Sequence, residues 1–226
     1  AYEIVSRDWS SDVCSSDLPG IGLNIYHNVF SQEDVNRYIN TLESNLNGSK
    51  GYLWSEAQVT NSTTPIKKAR DCVDFKYKQE NLGPRNEYNS ELIDLHEEIY
   101  QKLKICIDDY ARYWGINVVY YEAFNFVKYE GEGKHFIIHA DHGPAYNCTV
   151  SAVIYLNDDY EGGEISFVIR DQDLRLEEFS HLLPVSDIND PINEKLIDFA
   201  LKPKAGDAMI FPSTRSEEHT SELQSR

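Results

Sequence analysis

The sequence predicts an α+β chain in which two amphipathic helices lead into a sandwich or barrel of short strands. Three observations predict it: two stretches of helical apolar periodicity, a change to period two beyond Gly115, and turn residues that punctuate the short apolar runs. A strand-like entry spans Ile21 to Phe30. Ser31 then caps the first helix, with Asp34 placed to close a capping box and Phe30 and Val35 placed for a hydrophobic staple. Val35, Tyr38, Ile39, Leu42 and Leu46 keep helical spacing, and Asn47-Gly48 ends the run. Residues 49–88 read as polar and irregular. The second helix starts near Asn89 or Ser90, carries Leu92, Leu95, Ile99, Leu103, Cys106, Tyr110 and Tyr113, and closes at Gly115.

Strands are expected at Val118–Tyr129, Phe136–Asp141, Thr149–Leu156, Ile165–Ile169 and Ala208–Phe211. The third is apolar enough to be buried on both faces. The aromatic residues Tyr120, Tyr121, Phe124 and Phe126 read as sheet core. Residues 171–200 read as a helical or irregular insert, and Lys204-Ala205-Gly206-Asp207 as a turn.

The 226 residues suit one domain, and 41% hydrophobic with 26% charged residues excludes both a disordered polymer and a membrane protein. No apolar run is long enough to span a bilayer, and no secretory leader is read at the start. A formal charge of −17 argues against a general electrostatic grip on nucleic acid. Cys14, Cys72, Cys106 and Cys148 form no CxxC pair, which suits a reducing, cytoplasmic location. The sequons at Asn47, Asn61 and Asn147 are discounted accordingly.

The chemistry concentrates in the stretch from Gly131 to Gly143. On a strand, His139 and Asp141 share a face, while Ile138 and Ala140 take the other. One imidazole and one carboxylate on a common face are two of the three ligands of a non-haem Fe(II) facial triad. Taken alone the triplet is a weak signal, and a surface His–Asp hydrogen bond is the commoner meaning of it. A metallo-hydrolase HxHxDH motif would need His at 137, where the chain has Ile137. His135 reads as a pocket wall or surface residue, His142 as the start of a loop, and His96 and His181 as lone histidines. Glu161 and Glu164 read as a solvated turn, and Lys67, Lys68 and Arg70 as a solvated basic loop.

Four ordered elements extend this stretch: the lead-in Tyr129 to Gly133 before Phe136 and the triplet, the strand Thr149 to Asp158, the element Glu161-Gly-Gly-Glu-Ile-Ser-Phe167, and Lys202-Pro-Lys-Ala-Gly-Asp-Ala-Met-Ile-Phe-Pro-Ser213. Together they resemble the 2-oxoglutarate- and Fe(II)-dependent dioxygenases, in particular the prolyl 4-hydroxylase-like subgroup. The resemblance runs from about Ile21 to Ser213. It implies a double-stranded β-helix, or jelly-roll, with N-terminal helices packed on it. It also implies metal ligation by His139 and Asp141, which are the catalytic residues, and contacts to 2-oxoglutarate from Tyr129 and Thr149, with Asn147 a further candidate. The cofactors it implies are Fe(II), 2-oxoglutarate, O2 and ascorbate as an accessory. The reaction is hydroxylation of a C–H bond, with peptidyl proline as the expected target and succinate and CO2 as co-products. The partner is therefore a peptide or small molecule. A non-catalytic jelly-roll that binds a peptide or small ligand is the rival reading.

The ends read differently from the middle. Residues 1–18 and 215–226 are rich in Ser and acids and lack periodicity. Both resemble peptides translated from sequencing-library adapter DNA and are expected to be foreign or disordered tails around a domain at 19–214. The resemblance places the distal His and the 2-oxoglutarate-binding Arg on C-terminal strands, which are expected to be missing here. His219 stands in the register of the distal His, and no basic residue follows at the Arg position. The chain is thus expected to be an inactive fragment.

Overall fold

The computed structural model describes residues 22–44, 54–59, 64–76, 84–139, 141, 148–168, 199–213 and 216–220. In chain order its elements are β1 (Asn24–Tyr26), α1 (Gln32–Glu43), β2 (Ser55–Glu56), β3 (Arg70–Asp71), β4 (Val73–Lys76), α2 (Ser90–Trp114), β5 (Asn125–Lys128), β6 (His135–His139), β7 (Val150–Ile154), β8 (Glu164–Val168), β9 (Phe199–Leu201), β10 (Ala208–Pro212) and β11 (Ser216–Thr220). The strands pair antiparallel in three sheets, ordered β1-β10-β7, β3-β6-β11-β8-β9 and β2-β4-β5.

Both helices form where the periodicity places them. At the start of α1 the Ser31 hydroxyl accepts from the Asp34 amide, and the Asp34 carboxylate accepts from the Ser31 amide. Phe30 and Val35 are both buried, as a staple requires. α2 ends on Gly115 in the left-handed conformation, φ +66°. Its apolar stripe, Leu92, Leu95, Ile99, Cys106 and Tyr110, packs with Val35, Tyr38 and Leu42 of α1.

Strand β10 joins the helical layer to the sheets. Its first four residues are all buried. Ala208 and Ile210 belong to the cluster shared with the helices, whereas Met209 and Phe211 enter a second cluster with Leu23, Ile25, Ile165 and Phe167. This is period two with both faces covered, and each fully buried large side chain contributes roughly 1.5–3 kcal/mol. The turn before it is the predicted one. Asp207 is buried, accepts from the Asn28 and Lys204 amides, and faces His27 Nδ1 at 3.0 Å.

Several expectations are corrected. The strand expected at Val118–Tyr129 is confined to Asn125–Lys128. Val119 and Tyr120 are exposed, and Tyr121 turns to α2, where its hydroxyl donates to Asp108, so neither tyrosine is sheet core. Strand propensity yields here to packing on a helix. Phe126 is buried as expected, stacked on Phe75 at 6.1 Å. Phe75 lies on β4, within the stretch read as irregular. Strands of two to four residues are too short to show a period. β7 is covered on both faces, though less deeply than β10: Val150, Ala152 and Ile154 pack against the helical cluster and Val153 against the second, and of its five residues only Ser151 is buried rather than partly buried. The 171–200 insert lies largely outside the described residues, although Phe199–Leu201 pairs with β8. The tail expected without strand structure contains β11, inserted between β6 and β8. Ladder hydrogen bonds come from the backbone and need no apolar periodicity.

The α1–α2 contact is polar at its rim. Lys102 Nζ lies 2.9 Å from Asp34, Arg37 lies 2.7 Å from Glu98, and the buried Tyr38 hydroxyl donates to Glu98 at 2.7 Å. The hydrogen bond from Lys102 holds the Asp34 carboxyl well below the usual carboxylate range. Burial works against the Glu98 charge, but Tyr38 and Arg37 together bring its pKa below the ordinary value. Folded-state values below the unfolded ones stabilise above the carboxylate range and are lost as pH falls through them. The urea midpoint should therefore decline on acidification below about pH 4, and Lys102→Met should flatten that decline; an unchanged profile would contradict the linkage.

Gly206 has φ +86°, and a Cβ there would stand 2.2 Å from the Phe30 carbonyl oxygen. Gly206→Ala should destabilise by about 3 kcal/mol or more, read as a fall in urea midpoint at constant slope.

Candidate metal and cosubstrate site

Strand β6 ends at His139, and Asp141 stands on a bend just beyond it. The shared-face argument therefore applies at a strand end. Even so, His139 Nε2 and Asp141 Oδ1 are 3.5 Å apart. The imidazole side chain is 19% exposed and the carboxylate 37%, so the pair lies at an opening to solvent. The His139 ring is stacked on Phe136 at 3.7 Å between centroids.

The tautomer follows from the backbone. His139 Nδ1 is 2.9 Å from the Ile137 carbonyl oxygen, which only accepts, so Nδ1 carries the proton. In the neutral ring Nε2 is then a lone pair directed towards a carboxylate oxygen. Two acceptors in that arrangement repel unless a cation lies between them: a proton on Nε2 makes the contact a His–Asp ion pair, and in its absence the donor set fits a divalent metal bound by one nitrogen and one oxygen. The Nδ1–H to carbonyl bond also matches the usual support of a metal-ligating histidine.

Asp141 is held from its other side. Ser151 Oγ donates to Asp141 Oδ2 at 2.5 Å and lies 2.9 Å from Ser213 Oγ. Sequence reasoning missed Ser151. Period two places it on the face of Thr149, and that was the only signal available.

The other expected site residues are less closely gathered. Tyr129 follows β5, is 37% exposed, and its hydroxyl bonds the Cys72 thiol. Thr149 precedes β7, is exposed, and its carbonyl accepts from the Ser213 amide. Asn147 and His142 lie outside the described residues. Among the described residues no three His, Cys, Asp or Glu side chains gather into a metal-holding group. The backbone of His219 is paired with Phe136 on one side and Ile165 on the other, while Glu217 stands opposite His139, with an irregularity between Glu217 and His219. His219 is thus on the strand next to the pair, displaced along it from His139.

The remaining candidates are structural. His135 is buried, with Nδ1 2.7 Å from the Gly133 carbonyl oxygen and Nε2 3.3 Å from that of Lys68. His96 is stacked on Phe124 at 4.4 Å, and burial pushes its pKa down. Arg70 does not belong to a solvated loop. Its guanidinium lies 4.7 Å over the Phe136 ring and 3.5 Å from the buried Asp74. Lys67 pairs with Glu56 at the surface. Glu164 also departs from the solvated-turn reading, because one of its carboxylate oxygens is buried.

Residues 124–225 match the family described as the 2OG-Fe(II) oxygenase superfamily. No curated protein is similar to the chain in sequence. Among the solved structures that resemble it are two prolyl hydroxylases. One is a prolyl hydroxylase from Trichoplax adhaerens in complex with a hypoxia inducible factor oxygen degradation domain peptide fragment, at 14% identity and TM-score 0.57, covering 88% of this chain and 77% of that one. The other is a prolyl-4-hydroxylase from Pseudomonas putida, at 16% identity and TM-score 0.49, covering 90% of this chain and 87% of that one.

Because both His135 ring nitrogens meet backbone carbonyls, His135→Ala should lower stability by about 1–3 kcal/mol while leaving Mn(II) affinity unchanged. A loss of metal affinity with intact stability would instead make His135 a ligand.

Proposed function

We propose that the chain, whose residues 124–225 match the 2OG-Fe(II) oxygenase superfamily, is built as a jelly-roll dioxygenase that hydroxylates a C–H bond of a peptide, with proline as the target residue. The observation that carries this reading is His139 Nε2 facing Asp141 Oδ1 at 3.5 Å. His139 and Asp141 would hold Fe(II), and His219 is the third candidate by register. When bound, the metal with 2-oxoglutarate and O2 supplies the oxidising chemistry, which yields succinate and CO2.

The chain's own residues bind, orient and shield. His139 offers one nitrogen because its other nitrogen is engaged by the Ile137 carbonyl. Asp141 offers the single negative charge of the described pair. Phe136 covers one face of the imidazole and restricts its rotation. Tyr129 and Thr149 remain the candidates for contact with 2-oxoglutarate. Thr149 is joined to the site through the Ser213 amide. The peptide substrate is supported by the Trichoplax prolyl hydroxylase, which shares the fold and is in complex with a peptide fragment.

The test is succinate formation from 2-oxoglutarate with Fe(II) and ascorbate, with proline-containing peptides as substrates. Asp141→Ala should abolish turnover, because it removes the anionic ligand. Turnover near the wild-type rate in that variant would refute the ligand assignment. Mn(II) and 2-oxoglutarate binding without succinate would favour a non-catalytic binding module. The adapter-like reading of residues 215–226 adds a further expectation: turnover by this chain should be far below that of a version carrying an apolar C-terminal strand and a basic residue for the 2-oxoglutarate carboxylate.

A further inference from the structure

We propose that Ser151 is a positioning residue that fixes the rotation of the Asp141 carboxylate and reserves Oδ1 for the cation. The inference rests on the metal-site reading above. Ser151 is 7% exposed and lies on β7 where it pairs with β10, and the fully buried Ser213 directly follows β10. Ser151 is directly opposite Phe211, and the Ser213 amide donates to the Thr149 carbonyl at 3.1 Å. The ladder therefore places the Ser151 hydroxyl, and the backbone bond to Thr149 anchors Ser213 one residue beyond it.

Ser213 Oγ lies 2.9 Å from Ser151 Oγ and donates to Cys148 Sγ at 3.0 Å, and the Cys148 thiol donates to the Val150 carbonyl oxygen at 3.4 Å. The direction at Asp141 is forced. An ionised carboxylate only accepts, so the Ser151 proton goes to Asp141 Oδ2. A charge-assisted bond of this kind is stronger than a neutral one, and burial of its donor keeps water from competing.

The consequence for the site is geometric. Asp141 stands on a bend and is 37% exposed, so its own backbone does little to fix its side chain. With Oδ2 held by Ser151, the carboxylate plane is set and Oδ1 is the oxygen that faces His139 Nε2. The Asp141 ligand is thus prepared to bind through one oxygen.

The experiment has a metal-free arm and a metal arm, both on the full chain. In chelator, urea unfolding of the wild type, Ser151→Ala, Asp141→Ala and the double variant forms a thermodynamic cycle. The midpoint losses should be clearly non-additive, because the Ser151 hydroxyl acts through Asp141. Mn(II) titration calorimetry should then show affinity reduced about tenfold or more in Ser151→Ala and close to wild type in Ser151→Thr, which keeps the hydroxyl. An additive cycle overturns the proposal, as does equal Mn(II) affinity in wild type and Ser151→Ala; the latter leaves the metal reading standing. A non-additive cycle in a protein that takes up no Mn(II) supports the positioning of Asp141 and removes the metal reading instead.

Discussion

The double-sided burial of β10 is the constraint on which the rest depends. Ala208 and Ile210 seal the helical layer, and Met209 and Phe211 seal the space towards β8. A strand covered on both faces cannot slip by one residue without exchanging its two sets of side chains. Its partners β1 and β7 inherit that register. The buried carboxylate of Asp207 and the left-handed Gly206 hold the turn that feeds the strand. The site stands at the other end of the same ladder, where Ser213 leaves β10 and Ser151 begins its approach to Asp141.

This arrangement separates the burden of stability from that of chemistry. The helices and β10 contribute most of the fully buried side chains, including Tyr38, Tyr110, Leu95 and Met209. His139 and Asp141, by contrast, are partly exposed and lie at a strand end. Polar groups at such a position need support from buried donors, because water competes for every exposed hydrogen bond. The backbone carbonyl of Ile137 holds the His139 ring, and the Ser151 hydroxyl holds the Asp141 carboxylate.

Strand β11 shows how little a central strand needs from its sequence when neighbours leave a gap. Its residues carry no apolar alternation, yet their backbone pairs with β6 and with β8. Two strands with unpaired edges offer a complete set of donors and acceptors to any extended segment of adequate length. The same pairing sets His219 opposite Phe136, so register alone places a second imidazole-bearing residue on the strand beside the His139–Asp141 pair.

The helices were legible because capping and 3.6-residue periodicity are local: Ser31 with Asp34, and Asn89 to Gly115, needed nothing beyond their own neighbours. The pairing of His139 with Asp141 was legible for the same reason, since two residues apart on extended backbone share a face. By itself the sequence determined the helices, the turn before β10, and the two candidate ligands. Only the tertiary structure decided that Phe75 stacks on Phe126, that Tyr121 turns to α2, and that Arg70 covers Phe136. It alone brought Ser151 and Ser213 together beneath Asp141. These contacts join residues from distant parts of the chain, and strand registry, which no local pattern encodes, sets which of them meet.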